Sequence, residues 1–159
     1  MTTESPVTAM TTVDFADLES LVGKPLGATP WMTISQERIN VFADATDDPQ
    51  WIHTDPVRAK DGPFGTTIAH GMLTVGLLIP LFEQLLAVQH VTTKINIGLN
   101  KVRLTAPVPV DSRIRLTATI ASVAPTKGGG KEFVWDGVVQ IEGAERPALV
   151  AQAVWRFLP

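Results

Sequence analysis

HGMLTVGLLIPLFEQLLAVQ, His70 to Gln89, is the stretch on which the fold turns. Its apolar residues (Met72, Leu73, Val75, Leu77, Leu78, Ile79, Leu81, Phe82, Leu85 and Leu86) fall on nearly every side of a helical wheel. That pattern predicts a long helix from His70 to Gln89, enclosed on most sides and bent at Pro80. Thr74, Gly76 and Pro80 interrupt the run, and its apolar part is shorter than the ~20 residues that span a bilayer, so no membrane partner is expected. The enclosing layer follows directly. Beyond Val91 the periodicity changes to two: Thr93–Thr105 is strand-like, and Ile114, Leu116, Ala118 and Ile120 alternate with Arg113, Arg115, Thr117 and Thr119. Lys131–Ile141 and Ala148–Phe157 supply two further strands, with Gly128–Gly130 and Glu142–Pro147 as the turns between. A helix followed by an antiparallel meander predicts an α+β fold, a curved antiparallel sheet wrapped around a long central helix. Such a sheet has open edges, and a homodimer that joins two of them is the expected remedy.

Upstream, Asp14–Leu21 reads as a short amphipathic helix stopped at Gly23, and Leu26–Ile34 as a strand that Pro30 confines to an edge or a bulge. Ser35 caps a helix from Gln36 to about Thr46, with Ile34 and Ile39 as a hydrophobic staple. Asp55 and Pro56 open another helical turn that Gly62 and Pro63 stop, which leaves His53 in a loop between helices. Residues 1–12 lack the basic and apolar regions of a secretory signal and are expected to be a disordered tail, with 13–159 forming one domain.

At 159 residues with 45% hydrophobic content the chain can supply one well-filled core. Thirteen Lys and Arg against sixteen Asp and Glu leave a net charge of -3, too little positive charge to neutralise a nucleic-acid backbone. With no cysteine and three histidines, neither disulfides nor thiolate chemistry nor a metal centre is expected, which fits the cytoplasm.

The chemistry gathers in DATDDPQWIHTDPVRAKDGPFGTTIAHGML, Asp44–Leu73. Asp48 stands five residues before His53, and His70-Gly71 begins the long helix. In this order the chain resembles the MaoC-like dehydratases, the (R)-specific enoyl-CoA hydratases of the hotdog fold. That family has a helix ending in Gly-Asp, a His five residues after the Asp, a small residue six further on, and a downstream Phe-Gly and Ile-Ala-His-Gly-Met-Leu run. Asp48, His53, Ala59 and Phe64–Leu73 match in order and spacing, and Gly98–Arg115 is similar to the strands that follow. Asp47 stands where the family has Gly, and is one of the few residue types that accept a positive φ. Gln50 and Trp51 replace the usual Asn-Pro.

The resemblance implies that Asp48 and His53 share one water and add it to a trans-2-enoyl thioester, giving the (R)-3-hydroxyacyl product or running in reverse. Substrate would carry coenzyme A, with no other cofactor. Bottom-up, hydration needs a base for water, an acid for the α-carbon and a donor for the thioester oxygen. Asp48 and His53 can supply the first two, and the Gly71 N–H the third, since a residue without a side chain lets the thioester approach. Asp48, with Asp47, is expected to bias His53 toward its charged form.

Other residues have structural readings, some with a functional one beside them. Asp55 reads as a helix cap, His90 as a dipole partner at the helix end, and His70 as either a brace for the site or part of it. Lys101, Arg103, Arg113 and Arg115 read as a solvated sheet face, or as contacts to the phosphates of coenzyme A. Asn100 could brace the active-site loop, and Trp51 could wall the pocket or be ordinary packing. Two rival functions remain open: a thioesterase of the same fold, and a non-catalytic partner subunit of a dehydratase complex.

Overall fold

The computed structural model describes residues 7–159. Five strands form a curved antiparallel sheet in the order β2 (Pro25–Ala28), β6 (Arg113–Pro125), β7 (Lys131–Ile141), β8 (Leu149–Leu158) and β5 (Thr93–Leu104), with the two-residue β3 (Met32–Thr33) also on β6. Leu26–Ile34 is therefore two short pieces, divided where Pro30 removes a donor. Along β7 the alternation sends Phe133, Trp135 and Val139 inward, each fully buried, while Asp136 faces solvent. Register shifts in β2, β5 and β6 bend the sheet around what it covers.

What it covers is shorter than the periodicity predicts. The helix runs as α4 (Gly71–Gly76) and α5 (Leu78–Phe82), then gives way to strand β4 (Leu86–Gln89). The interruption follows from Pro80, which lacks an N–H for the Gly76 carbonyl and crowds it with its ring. Hydrogen bonds from Leu77 to Leu73 and from Leu81 to Leu77 carry the helix past the break. Leu78, Leu81 and Phe82 are buried, whereas Met72 and Ile79 are exposed, so the helix is enclosed on one side rather than all round. This α+β arrangement is the hotdog fold, with a central helix of about three turns instead of five.

β4 is extended because β1 (Thr11–Asp14) pairs with it in parallel, from Thr11 opposite Leu86 to Asp14 opposite Gln89. The expected disordered tail over 1–12 is thus corrected for its described half: Val7 bridges Ala28, and the Thr8 N–H donates to the Ala28 carbonyl at 3.2 Å. Residues 1–6 lie outside the described residues. His90 does not terminate a helix; it follows β4 with φ 59° and its Nδ1 lies 2.5 Å from Asp14 Oδ2.

Among the described residues no helix is long and apolar enough to cross a membrane. Among the described residues strand β5 pairs on one side only, with β8, and leaves Ile95, Ile97, Leu99 and Leu104 exposed along the sheet edge.

Candidate active site

Helix α1 (Gln36–Thr46) begins as its sequence dictates, with Ser35 Oγ accepting from the Arg38 N–H at 3.2 Å. It ends at Asp47, whose φ of 54° and ψ of 35° put the backbone in the left-handed region, where it donates to the Ala43 carbonyl. The Asp48 N–H reaches that same carbonyl at 3.0 Å. This turn swings the chain off the helix axis and presents the Asp48 carboxylate, whose side chain is 55% exposed.

His53 sits on a single helical turn, α2 (Trp51–Thr54), rather than in a loop. The ring is buried, and its Nδ1 lies 2.7 Å from the Ile68 carbonyl. A carbonyl only accepts, so Nδ1 carries the proton and Nε2 presents a lone pair. The backbone behind it is braced by Gln36: Nε2 donates to the His53 carbonyl at 2.7 Å and to Asn40 Oδ1 at 2.8 Å, and Oε1 accepts from Thr67 Oγ1. Residues 67–69 are themselves stitched to 108–110 and to Ile52. Sequence reading missed Gln36 and Thr67, because nothing in their spacing announces a bond across 31 residues.

His70 completes the cluster. Its ring stacks on His53 with centroids 3.8 Å apart, and its Nε2 lies 3.0 Å from the Asp48 carbonyl and 3.9 Å from Oδ2. One nitrogen or oxygen from each of Asp48, His53 and His70 falls within 4.8 Å of the others. A water making two ordinary hydrogen bonds spans about that distance. A cation is poorly served, because rings inclined by only 24° send their lone pairs side by side rather than toward one point.

His53 and Gly71 line a cleft of about 250 Å³ whose remaining walls, Leu104, Ala106, Val108 and Ala148 among them, are apolar apart from Thr74 and Thr105. A Cβ on Gly71 would stand 2.2 Å from Leu104 Cδ1, so only glycine leaves the leucine where it is. Asp48 lies outside that lining. A larger groove of about 570 Å³ opens on the other face of the sheet, among Lys101, Asp136 and Gln152, and contains no imidazole.

The remaining expectations divide. Asp55 is a cap, accepting from the Val57 and Arg58 N–H groups at 3.1 and 3.0 Å. Trp51 packs against Arg58, whose guanidinium is 4.4 Å from the ring, and is not part of the cleft around His53. Asn100 binds Gln152 at 2.9 Å instead of bracing the active-site loop. Lys101 lines the outer groove, and Arg103 donates to the Val102 carbonyl; neither lines the His53 cleft. The four cations are not one solvated face: Arg113 pairs with Glu142, and Arg115 is buried over Trp31 with its Nε 2.8 Å from Gln140 Oε1.

The charge state of His53 is also corrected. Burial holds its pKa below the ordinary value and His70 acts in the same direction; the Ile68 bond and the Asp48 charge oppose them without prevailing. His53 is therefore neutral at pH 7. An NMR titration is expected to place its midpoint below the usual value of about 6.5. Since the unfolded chain then binds more protons in the interval just below that value, stability contributed by this ring is present above it and is lost as the pH falls through the interval. Asp48→Asn should move the midpoint lower still, and an unchanged midpoint would remove the coupling.

Residues 17–137 match the MaoC like domain, and the chain belongs to that family. It is 48% identical over 143 residues to 3-hydroxyacyl-thioester dehydratase Z from Mycobacterium tuberculosis, covering 90% of this chain and 95% of the relative. Nodulation protein N from Rhizobium meliloti is 38% identical over 151 residues, 92% of this chain and 94% of that one. Among solved structures, the monoamine oxidase regulatory protein from Archaeoglobus fulgius superposes with a TM-score of 0.75 at 21% identity, over 96% of this chain and 100% of that one.

Proposed function

We propose that this chain is a hydro-lyase that adds water reversibly to trans-2-enoyl thioesters, with the (R) configuration at the hydroxylated carbon, acting on substrates carried by coenzyme A. The observation behind this reading is the convergence of Asp48 and His53 beside a cleft that begins at Gly71. The similarity to a Mycobacterium tuberculosis relative that is a 3-hydroxyacyl-thioester dehydratase supports the reaction class.

With Nδ1 committed to Ile68, His53 Nε2 and the Asp48 carboxylate are two proton acceptors on one water. The water gives a proton to the pair as its oxygen attacks the β-carbon, and the π electrons move onto the thioester oxygen. The Gly71 N–H donates to that oxygen while it carries charge. The α-carbon then takes the proton back, so one water is added and both side chains return to their starting states. Neither a metal nor an organic cofactor enters this sequence.

The active form in this reading is a homodimer built on β5, whose single-sided pairing and exposed Ile95, Ile97 and Leu99 need cover. Leu104 lines the cleft and is itself 54% exposed, so a second copy would also roof the site. A chain without cysteine suits the reducing cytoplasm.

Incubation with a short trans-2-enoyl-CoA is expected to abolish the conjugated enoyl absorbance with no release of free thiol, and chiral analysis to return the (R) alcohol. Free thiol would instead establish a thioesterase. Inactivity that a second chain restores would establish a partner subunit. Sedimentation should give twice the chain mass, and a monomer at full activity would remove the dimer.

A further inference from the structure

We propose that His70 is a positioning residue: an imidazole whose Nε2–H fixes the Asp48 peptide while its ring stacks on His53, the two rings carrying opposite tautomers. Its kinetic consequence rests on the hydration reading; the tautomers do not.

Both hydrogen bonds end on carbonyl oxygens, which cannot donate. His53 must therefore carry its proton on Nδ1, toward Ile68, and His70 on Nε2, toward Asp48. The Asp48 carboxylate oxygen stands 3.9 Å from the same His70 nitrogen, beyond hydrogen-bond reach, so the ring holds the backbone and leaves the carboxylate to the water. Asp47 is in a left-handed turn immediately before, the Asp48 N–H is held on the Ala43 carbonyl, and this bond fixes the peptide on the other side of Asp48.

His70 is held as firmly as it holds. It is 3% exposed, gripped between His53 on one side and Phe42 at 4.9 Å, and it stands directly before Gly71. One ring thus touches the acid's backbone and the base's plane, and adjoins the residue that receives the thioester oxygen. Its other nitrogen, Nδ1, is buried with no partner among the described residues.

Imidazole 15N NMR on the wild type, together with kinetics of two variants on a short trans-2-enoyl-CoA, tests the assignment. His70 is expected to show a protonated Nε2 and a bare Nδ1, and His53 the reverse. His70→Phe keeps the stacked ring and loses the donor, and kcat is expected to fall about 10–100-fold with KM changed by no more than about threefold. His70→Gln keeps an amide that reaches the Asp48 carbonyl, and kcat should recover to within about fivefold of wild type. A His70 protonated on Nδ1, a His70→Phe variant with wild-type kcat, or a His70→Gln variant as impaired as His70→Phe would each overturn the proposal. Should His70→Phe not fold, the wild-type spectra and His70→Gln decide. A wild type inactive on every enoyl thioester would defeat the hydration reading, while the spectra would still decide the tautomers.

Discussion

His53→Asn is expected to lower kcat/KM for a trans-2-enoyl thioester by about 10³-fold, with Asp48→Asn close behind. Asparagine keeps a donor near the position of Nδ1, so the bond to the Ile68 carbonyl can survive while the Nε2 acceptor disappears. Asp48→Asn removes the charge and one acceptor from an exposed position, where little stability is at stake. Because the two groups act on one water, the double variant should be little slower than either single one, as is usual for residues that work as a unit. Steady-state rates at pH 7.5, with urea unfolding to show that both variants are folded, provide the measurement. Multiplicative losses in the double variant would mean that each residue serves a separate step, and a loss below tenfold in both would remove them from the chemistry.

Phe82→Ala carries the largest expected cost in stability. Phe82 is 1% exposed at the end of α5, stacked on Trp135 with centroids 4.3 Å apart and set edge-on to Trp155 at 4.9 Å. It is the nail that fastens the helix to the inner face of the sheet. Deleting a buried phenyl ring removes the burial energy and leaves a cavity between two indoles that have no room to collapse, together about 3–5 kcal/mol. Against a total stability of about 5–15 kcal/mol this is a large fraction, and for a chain of this size the unfolding temperature should drop by roughly 6–20 °C. A shift below about 2 °C in a thermal melt would mean that the helix is anchored elsewhere.

Much of this architecture was legible in the chain because its signals are local. Ser35 caps α1, Asp55 caps α3 (Pro56–Ala59), and β6, β7 and β8 start and stop within a few residues of the period-two pattern. The helix was misjudged in length for a definite reason. Leu86–Gln89 is as apolar as the turns before it, and periodicity cannot separate a short buried strand from a helix when the deciding partner, β1, lies some 75 residues away. Arg115 was misread for the same reason, since Trp31, which covers it, is far off in sequence.

The site divides along the same line. Asp48, His53 and Gly71 were readable from order and spacing, and the structure brings Asp48 to His53, and His53 and Gly71 to one cleft. The neutral state of His53 was not readable. Proximity of an acid suggested a charged ring, but burial, which only tertiary packing reveals, decides the sign. Gln36 and Thr67 were invisible for want of any local pattern.

The left-handed turn at Asp47 bears on how this protein can evolve. Aspartate, glycine and asparagine tolerate that bend, and the codons of the last two each lie one base from that of aspartate, so drift can replace Asp47 by either without dislodging the neighbouring acid. Valine is also one base away, and its branched side chain cannot follow the bend. Selection at this codon therefore acts on backbone shape.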